Sequence, residues 1–153
     1  MGANSQMPPA VPPAALSHES EPASARKPTV LVMEGDPYVS AVLWTLLSRF
    51  NFEVFSEISG TVGRDLARNL HLDAVVLDVN LPGMNGLEIC RQLKADPETR
   101  ALPVVFCSRQ GYLADEAMEV GAAAFLAKPN EVFKLPGCLS QILAARPGTR
   151  LKT

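Results

Sequence analysis

Ala74-Val75-Val76-Leu77 runs without a turn into Asp78, and Leu81-Pro82-Gly83 breaks the chain soon afterwards. The run is apolar and partly β-branched, the composition of a strand buried on both faces of a parallel sheet. A lone carboxylate inside such a sheet is costly unless it is paired. At the carboxyl end of the strand, the same group points into the crevice where open α/β sheets bind their ligands. Asp78 is the residue any fold of this chain must accommodate.

The rest of the chain supplies the expected neighbours. Thr29 to Met33 reads as a strand ending in Glu34-Gly35-Asp36-Pro37, with Asp36 placed to cap a helix and Pro37 to open it. That helix carries Val39, Val42, Leu43, Leu46 and Leu47 as an apolar stripe for the sheet. Glu53 to Ser56 reads as a second strand, and Thr61 to Leu70 as a helix weakened by Gly63. After the central strand a helix runs from Gly86 to Ala95, with Leu87, Ile89, Cys90 and Leu93 inward, and Asp96-Pro97 ends it. Leu102 to Cys107 is a fourth strand followed by Ser108, and Tyr112 to Val120 a short helix stopped by Gly121. Ala123 to Ala127 is a fifth strand ending at Lys128-Pro129, and a last helix covers Leu135 to Ala145. Five βα units with right-handed crossovers predict an α/β domain over residues 28–145, a parallel sheet with helices on both faces. Residues 1–27, with Pro8, Pro9, Pro12, Pro13 and Pro22 and no period of either kind, are expected to be a disordered tail. Residues 146–153 are expected to fray.

Composition narrows the function. A net charge of −2 argues against a dedicated nucleic-acid surface. No apolar run is long enough to span a membrane, and the amino terminus lacks the basic start and apolar core of a signal peptide. Cys90, Cys107 and Cys138 are odd in number and lack metal-ligand spacing, so they read as reduced thiols of a cytoplasmic protein.

In a parallel sheet all carboxyl ends lie on one edge. Glu34 and Asp36, Asp78, Ser108 and Lys128 therefore come from four strands to one crevice. Each has a local explanation: a helix cap for Asp36, a solvated loop acid for Glu34, a cap on the turn through Asn80 for Asp78, a turn for Ser108, a surface charge for Lys128. Their coincidence at strand ends favours a site. A carboxylate accepts a phosphoryl group if a divalent cation neutralises the oxygens, and Mg²⁺ takes carboxylate, carbonyl and water oxygens. Ser108 and Lys128 are suited to pair with phosphoryl oxygens.

This pattern resembles the receiver domain of two-component response regulators. The resemblance covers nearly all of residues 27–145 and is carried by Val30-Leu31-Val32-Met33-Glu34, Asp73-Ala74-Val75-Val76-Leu77-Asp78, Leu81-Pro82-Gly83-Met84-Asn85-Gly86, Ala95-Asp96-Pro97-Glu98-Thr99-Arg100, Pro103-Val104-Val105, Gly121-Ala122 and Lys128-Pro129. It implies a flavodoxin-like doubly wound sheet of five parallel strands in the order 2-1-3-4-5. It implies Asp78 as phosphoacceptor, Ser108 and Phe125 as the switch pair, and Lys128 as the phosphate-pairing lysine. Mg²⁺ would be held by Glu34, Asp36, Asp78 and the Asn80 backbone carbonyl. The implied partners are a sensor histidine kinase or phosphotransfer protein, and a downstream protein on the face of the fourth helix, fifth strand and fifth helix. Neither nucleic acid nor membrane is expected as a direct partner, and no enzymatic turnover beyond phosphorylation and dephosphorylation at Asp78.

Two residues depart from the pattern. Receivers usually end the first strand in two consecutive acids, the second a direct Mg²⁺ ligand, whereas here Gly35 follows Glu34. The residue after the switch hydroxyl is normally small, whereas here it is Arg109. These departures keep a second reading open, a pseudo-receiver that binds partners without phosphorylation. A haloacid-dehalogenase-type phosphatase, the enzyme alternative, needs an acid two residues after the nucleophile, where this chain has Asn80.

Overall fold

The structure is a computed structural model that describes residues 26–146. The expected tails, apart from Arg26, Lys27 and Arg146, lie outside the described residues. β1 (Thr29–Met33), β2 (Glu53–Glu57), β3 (Ala74–Leu77), β6 (Val104–Ser108) and β7 (Ala124–Ala127) form one parallel sheet in the order β2-β1-β3-β6-β7. With its five strands counted along the chain, this is 2-1-3-4-5, the order that the resemblance to receiver domains implies. β4 (Asn80–Leu81) and β5 (Met84–Asn85) form a small antiparallel hairpin outside the sheet. Pro82-Gly83 turns it, with Gly83 at φ 78° where glycine is favoured. The sequence pattern predicts only a break there.

Alternate residues of each buried strand face opposite ways. Leu31, Met33, Val75, Leu77, Val104 and Phe106 join one core. Val30, Val32, Ala74, Val76, Val105 and Cys107 join the other. α2 (Gly60–Asn69), α3 (Gly86–Ala95) and α4 (Ala114–Glu119) supply side chains to the first core, and α1 (Pro37–Arg49) and α5 (Leu135–Ala144) to the second.

Local chemistry sets the helix ends. Asp36 caps α1, accepting from Tyr38 N at 2.8 Å, and Pro37 opens the helix. Asn85 caps α3 through Leu87 N at 2.7 Å. Gly121, at φ 107°, follows the end of α4. The expected fourth helix begins as a 3-10 turn at Gly111–Leu113 and has only six α-helical residues.

One expectation about α1 is corrected. Its buried residues are Ser40, Leu43 and Leu47, while Val42 is 57% exposed and Leu46 is half-buried. At about 100° per residue, Val42 and Leu46 stand a quarter-turn from the line through Leu43 and Leu47. They form a second apolar line on the outside of the helix.

Candidate functional site

The sheet's hydrogen bonding continues one step past the strands and fixes the polar residues there. Glu34 N donates to Glu57 O at 3.3 Å, Asp78 N to Met33 O at 3.0 Å, and Lys128 N to Ser108 O at 2.9 Å. With their backbones set, the side chains converge. Lys128 Nζ donates to Glu34 Oε1 at 2.7 Å and to Asp78 Oδ2 at 2.9 Å. The side chains of Lys128, Glu34 and Asp78 are only 5%, 3% and 7% exposed. Two buried carboxylates thus share one ammonium, which leaves an excess negative charge. Burial pushes Glu34 above the usual carboxylate range, opposed by its bonds to Lys128 and to Asp36 N, with the Asp78 charge adding to the rise. Burial also disfavours the charged form of Lys128, but the hydrogen bonds and charges of Glu34 and Asp78 outweigh it and raise the ammonium above its ordinary value.

The loops complete an open pocket of about 780 Å³. Asp78 Oδ1 accepts from Asn80 N at 3.3 Å, and Glu34 Oε2 from Asp36 N at 3.1 Å. Arg109 is exposed and Gln110 half-buried, and both line the pocket. The start of α3 lies against the Asp78 loop so closely that a Cβ on Gly86 would overlap Asp78 O. Only glycine allows that approach. A Cβ on Gly35 would stand 3.2 Å from Pro82 Cδ and 3.3 Å from Asn80 O, so the Asn80 carbonyl lies close to where a second consecutive acid would emerge.

Ser108 is fully buried, and its hydroxyl bonds to Gln110 instead of the Lys128 cluster. Its Oγ donates to Gln110 Oε1 at 3.2 Å and accepts from Gln110 N at 3.2 Å. Phe125 is half-buried and stacks on Phe106 with ring centroids 6.3 Å apart. Phe106 pairs in register with Phe125, and Ser108 with Ala127. The period of two puts Ser108, Phe106 and Phe125 on one face of the sheet. Sequence reasoning missed Gln110, whose only signal is its place two residues after a hydroxyl, a common local bonding distance. It also missed Glu131, whose Oε1 accepts from Ala127 N at 2.8 Å and ties the chain back just after Lys128.

The sequence matches the family described as "Response regulator receiver domain" over residues 30–138. The chain belongs to the response regulator receiver family. Curated relatives include the "DNA-binding dual master transcriptional regulator RpaA" of Synechocystis sp., 30% identical over 107 residues, 69% of this chain and 44% of that protein. The response regulator ArlR of Staphylococcus haemolyticus is 28% identical over 120 residues, 77% of this chain and 53% of that protein. This receiver chain therefore spans about half the length of those relatives. Among solved structures, the receiver domain of a sensor histidine kinase from Pseudomonas aeruginosa, crystallised with a magnesium ion coordinated in its active-site cleft, superposes with a TM-score of 0.70 at 22% identity, covering 76% of this chain and 97% of that one. A Francisella response regulator receiver domain gives 0.70 at 19% identity, covering 76% and 96%. At those identities the likeness is one of fold. Receivers are signalling modules of two-component systems, not turnover enzymes, and they generally bind Mg²⁺.

Among the described residues no three His, Cys, Asp or Glu side chains are grouped as a metal-binding set. Asp36, expected among the ligands, is exposed and bonded to the first turn of α1. Two buried carboxylates and a nearby backbone carbonyl remain, all hard oxygen donors. Such a set fits Mg²⁺, which commonly takes one or two carboxylates and keeps several waters. The described helices include none long and apolar enough to cross a membrane.

Proposed function

We propose that this receiver is a phosphoacceptor switch, with Asp78 as the residue that takes up the phosphoryl group. The observation that carries the reading is Lys128 Nζ, held within 2.9 Å of Asp78 Oδ2 in a buried pocket open to solvent beside it. An Asp78 carboxylate oxygen attacks phosphorus as the bond from phosphorus to the donor's nitrogen or oxygen breaks, and the leaving group departs with that electron pair. Glu34, Asp78 and the Asn80 carbonyl would hold Mg²⁺, which would supply positive charge to neutralise the phosphoryl oxygens. Lys128 shifts from its two carboxylates to a phosphoryl oxygen, a charge-assisted contact available without a long movement. Ser108 gives up Gln110 and donates its hydroxyl proton to another phosphoryl oxygen. Space opens on the face it shares with Phe125, whose ring follows it inward.

The phosphoryl donor in this reading is a sensor histidine kinase or phosphotransfer protein, and the protein works in the cytoplasm. The output is a protein contact on α4, β7 and α5, with no direct contact to nucleic acid or membrane. Mass spectrometry after incubation with acetyl phosphate and Mg²⁺ tests the acceptor: one phosphoryl group is expected on the parent and none on Asp78→Asn. Ser108→Ala should take up phosphoryl nearly as well, while its affinity for the output partner no longer responds. Gly35, which leaves the pocket with two carboxylates, favours the second reading, a receiver whose contacts are independent of phosphate. An unmodified parent protein would establish that reading.

A further inference from the structure

The outward line on α1 belongs to a second concavity that the phosphoacceptor reading does not use. Tyr38, Val42 and Leu46 follow one another at four-residue spacing along one side of the helix. Tyr38 is 84% and Val42 57% exposed, and across from them Phe133 is 70% exposed beside Pro129 and Val132. Together they wall an almost wholly apolar groove of about 500 Å³ whose lining includes Arg109 and Lys128, which also line the acidic pocket. Open aromatic side chains along an apolar groove suit a polyproline II segment, which is extended beforehand and loses little entropy on docking.

The sequence carries a proline-rich stretch. Pro8-Pro9-Ala10-Val11-Pro12-Pro13 contains a Pro-x-x-Pro pattern, and the twelve residues from Ala14 to Ala25 connect it to Arg26. Arg26 is anchored at the edge of the sheet where β1 and β3 begin. It pairs with Asp73 at 3.1 Å just before β3, and Arg146, just past α5, donates to Asp73 O at 2.8 Å. α1 runs back towards this edge of the sheet, so Leu46 lies nearer to it and Tyr38 nearer to the acidic pocket. Twelve extended residues reach roughly 40 Å, whereas the 13 residues of α1 measure only about 20 Å. Six residues of polyproline II span about 19 Å, enough to cover the roughly 12 Å from Tyr38 to Leu46.

We propose that Pro8–Pro13 docks on the α1 groove of its own chain, beside the mouth of the acidic pocket. A connection of twelve residues gives an effective concentration in the millimolar range. A contact with a dissociation constant of about 1 mM therefore fills the groove about half of the time.

The test uses the full chain and a full-length variant with Pro8, Pro9, Pro12 and Pro13 changed to Ser, compared by amide chemical shifts. Differences are expected at Tyr38, Val42, Leu46, Val132 and Phe133, unchanged on dilution. A synthetic peptide covering Met7 to Ala15 should restore the parent shifts in the variant, half-saturating in the millimolar range. Identical spectra at these positions would overturn the proposal, as would a peptide that does not bind. Shifts that vanish on dilution would place the segment of a second copy in the groove and overturn docking within one chain.

Discussion

Gly35→Asp tests how far the missing acid limits the pocket. In the parent the pocket holds Glu34 and Asp78 against Lys128. The new carboxylate adds a second excess negative charge and emerges beside the Asn80 carbonyl, where a Cβ stands 3.3 Å from that oxygen and 3.2 Å from Pro82 Cδ. Both contacts are tight by a few tenths of an ångström, and the hairpin turn at Pro82 has to give. Mild overpacking of this kind costs about 1 kcal/mol, and Gly35→Ala measures it alone. Like-charge repulsion then makes metal-free Gly35→Asp less stable than Gly35→Ala. With Mg²⁺ the order reverses, because one charge-assisted contact contributes about 1.5–3 kcal/mol, or ten- to a hundredfold in affinity. Isothermal titration with MgCl₂ measures that gain, and melting curves with and without Mg²⁺ measure the reversal. Asp36→Asn separates the remaining ligand candidate. Asn caps a helix about as well as Asp, so Mg²⁺ affinity should be unchanged in either background if Asp36 serves only α1. Equal Mg²⁺ affinity in the parent and Gly35→Asp would refute the argument that the pocket lacks a ligand.

Three further outcomes follow from the same geometry. Lys128→Met leaves Glu34 and Asp78 buried without their shared cation and should cost about 3–5 kcal/mol in chemical denaturation; adding Glu34→Gln should recover part of that, and a strictly additive double mutant would refute the shared-ammonium picture. Gly86→Ala drives a methyl group into the Asp78 carbonyl and should destabilise by about 1–3 kcal/mol while slowing phosphoryl uptake, so an unchanged melting temperature would show that α3 yields freely. Burial holds the Cys107 thiol up at about 12 and Cys90 at about 11, against 9.0 for an ordinary thiol. Both groups bind a proton more tightly in the folded chain, so their contribution is complete below pH 9 and is lost progressively as pH rises towards those values. The stability deficit of Cys107→Ala at pH 7 should therefore shrink by pH 11, and iodoacetamide at pH 8 should label half-buried Cys138 well ahead of the other two.

The positions of the strands and the convergence of Glu34, Asp78 and Lys128 were legible in the sequence for one physical reason, whereas the order of the strands came from the resemblance to receiver domains. A buried parallel strand writes itself as a continuous apolar run, and ladder hydrogen bonds carry its register one residue further, onto the polar group that ends it. The Asp36 cap and the Gly121 stop were legible because capping is local chemistry. The outward turn of Val42 and Leu46 was not, because an apolar side chain obeys the helical period whether or not a core lies beneath it. Gln110 and Glu131 were not, because each acts through the path of a loop, and side chains two to four residues from their partners give only a faint signal. The division has a functional edge. Glu34, Asp78 and Lys128 have backbones fixed by strand pairing, so chemistry there changes charge without moving the chain. Ser108 is tied to Gln110 by two bonds of 3.2 Å, both of which can be exchanged for bonds to an anion and to solvent without breaking the sheet. Gln110, which pattern could not place, is therefore the partner whose bonds exchange without disturbing the sheet.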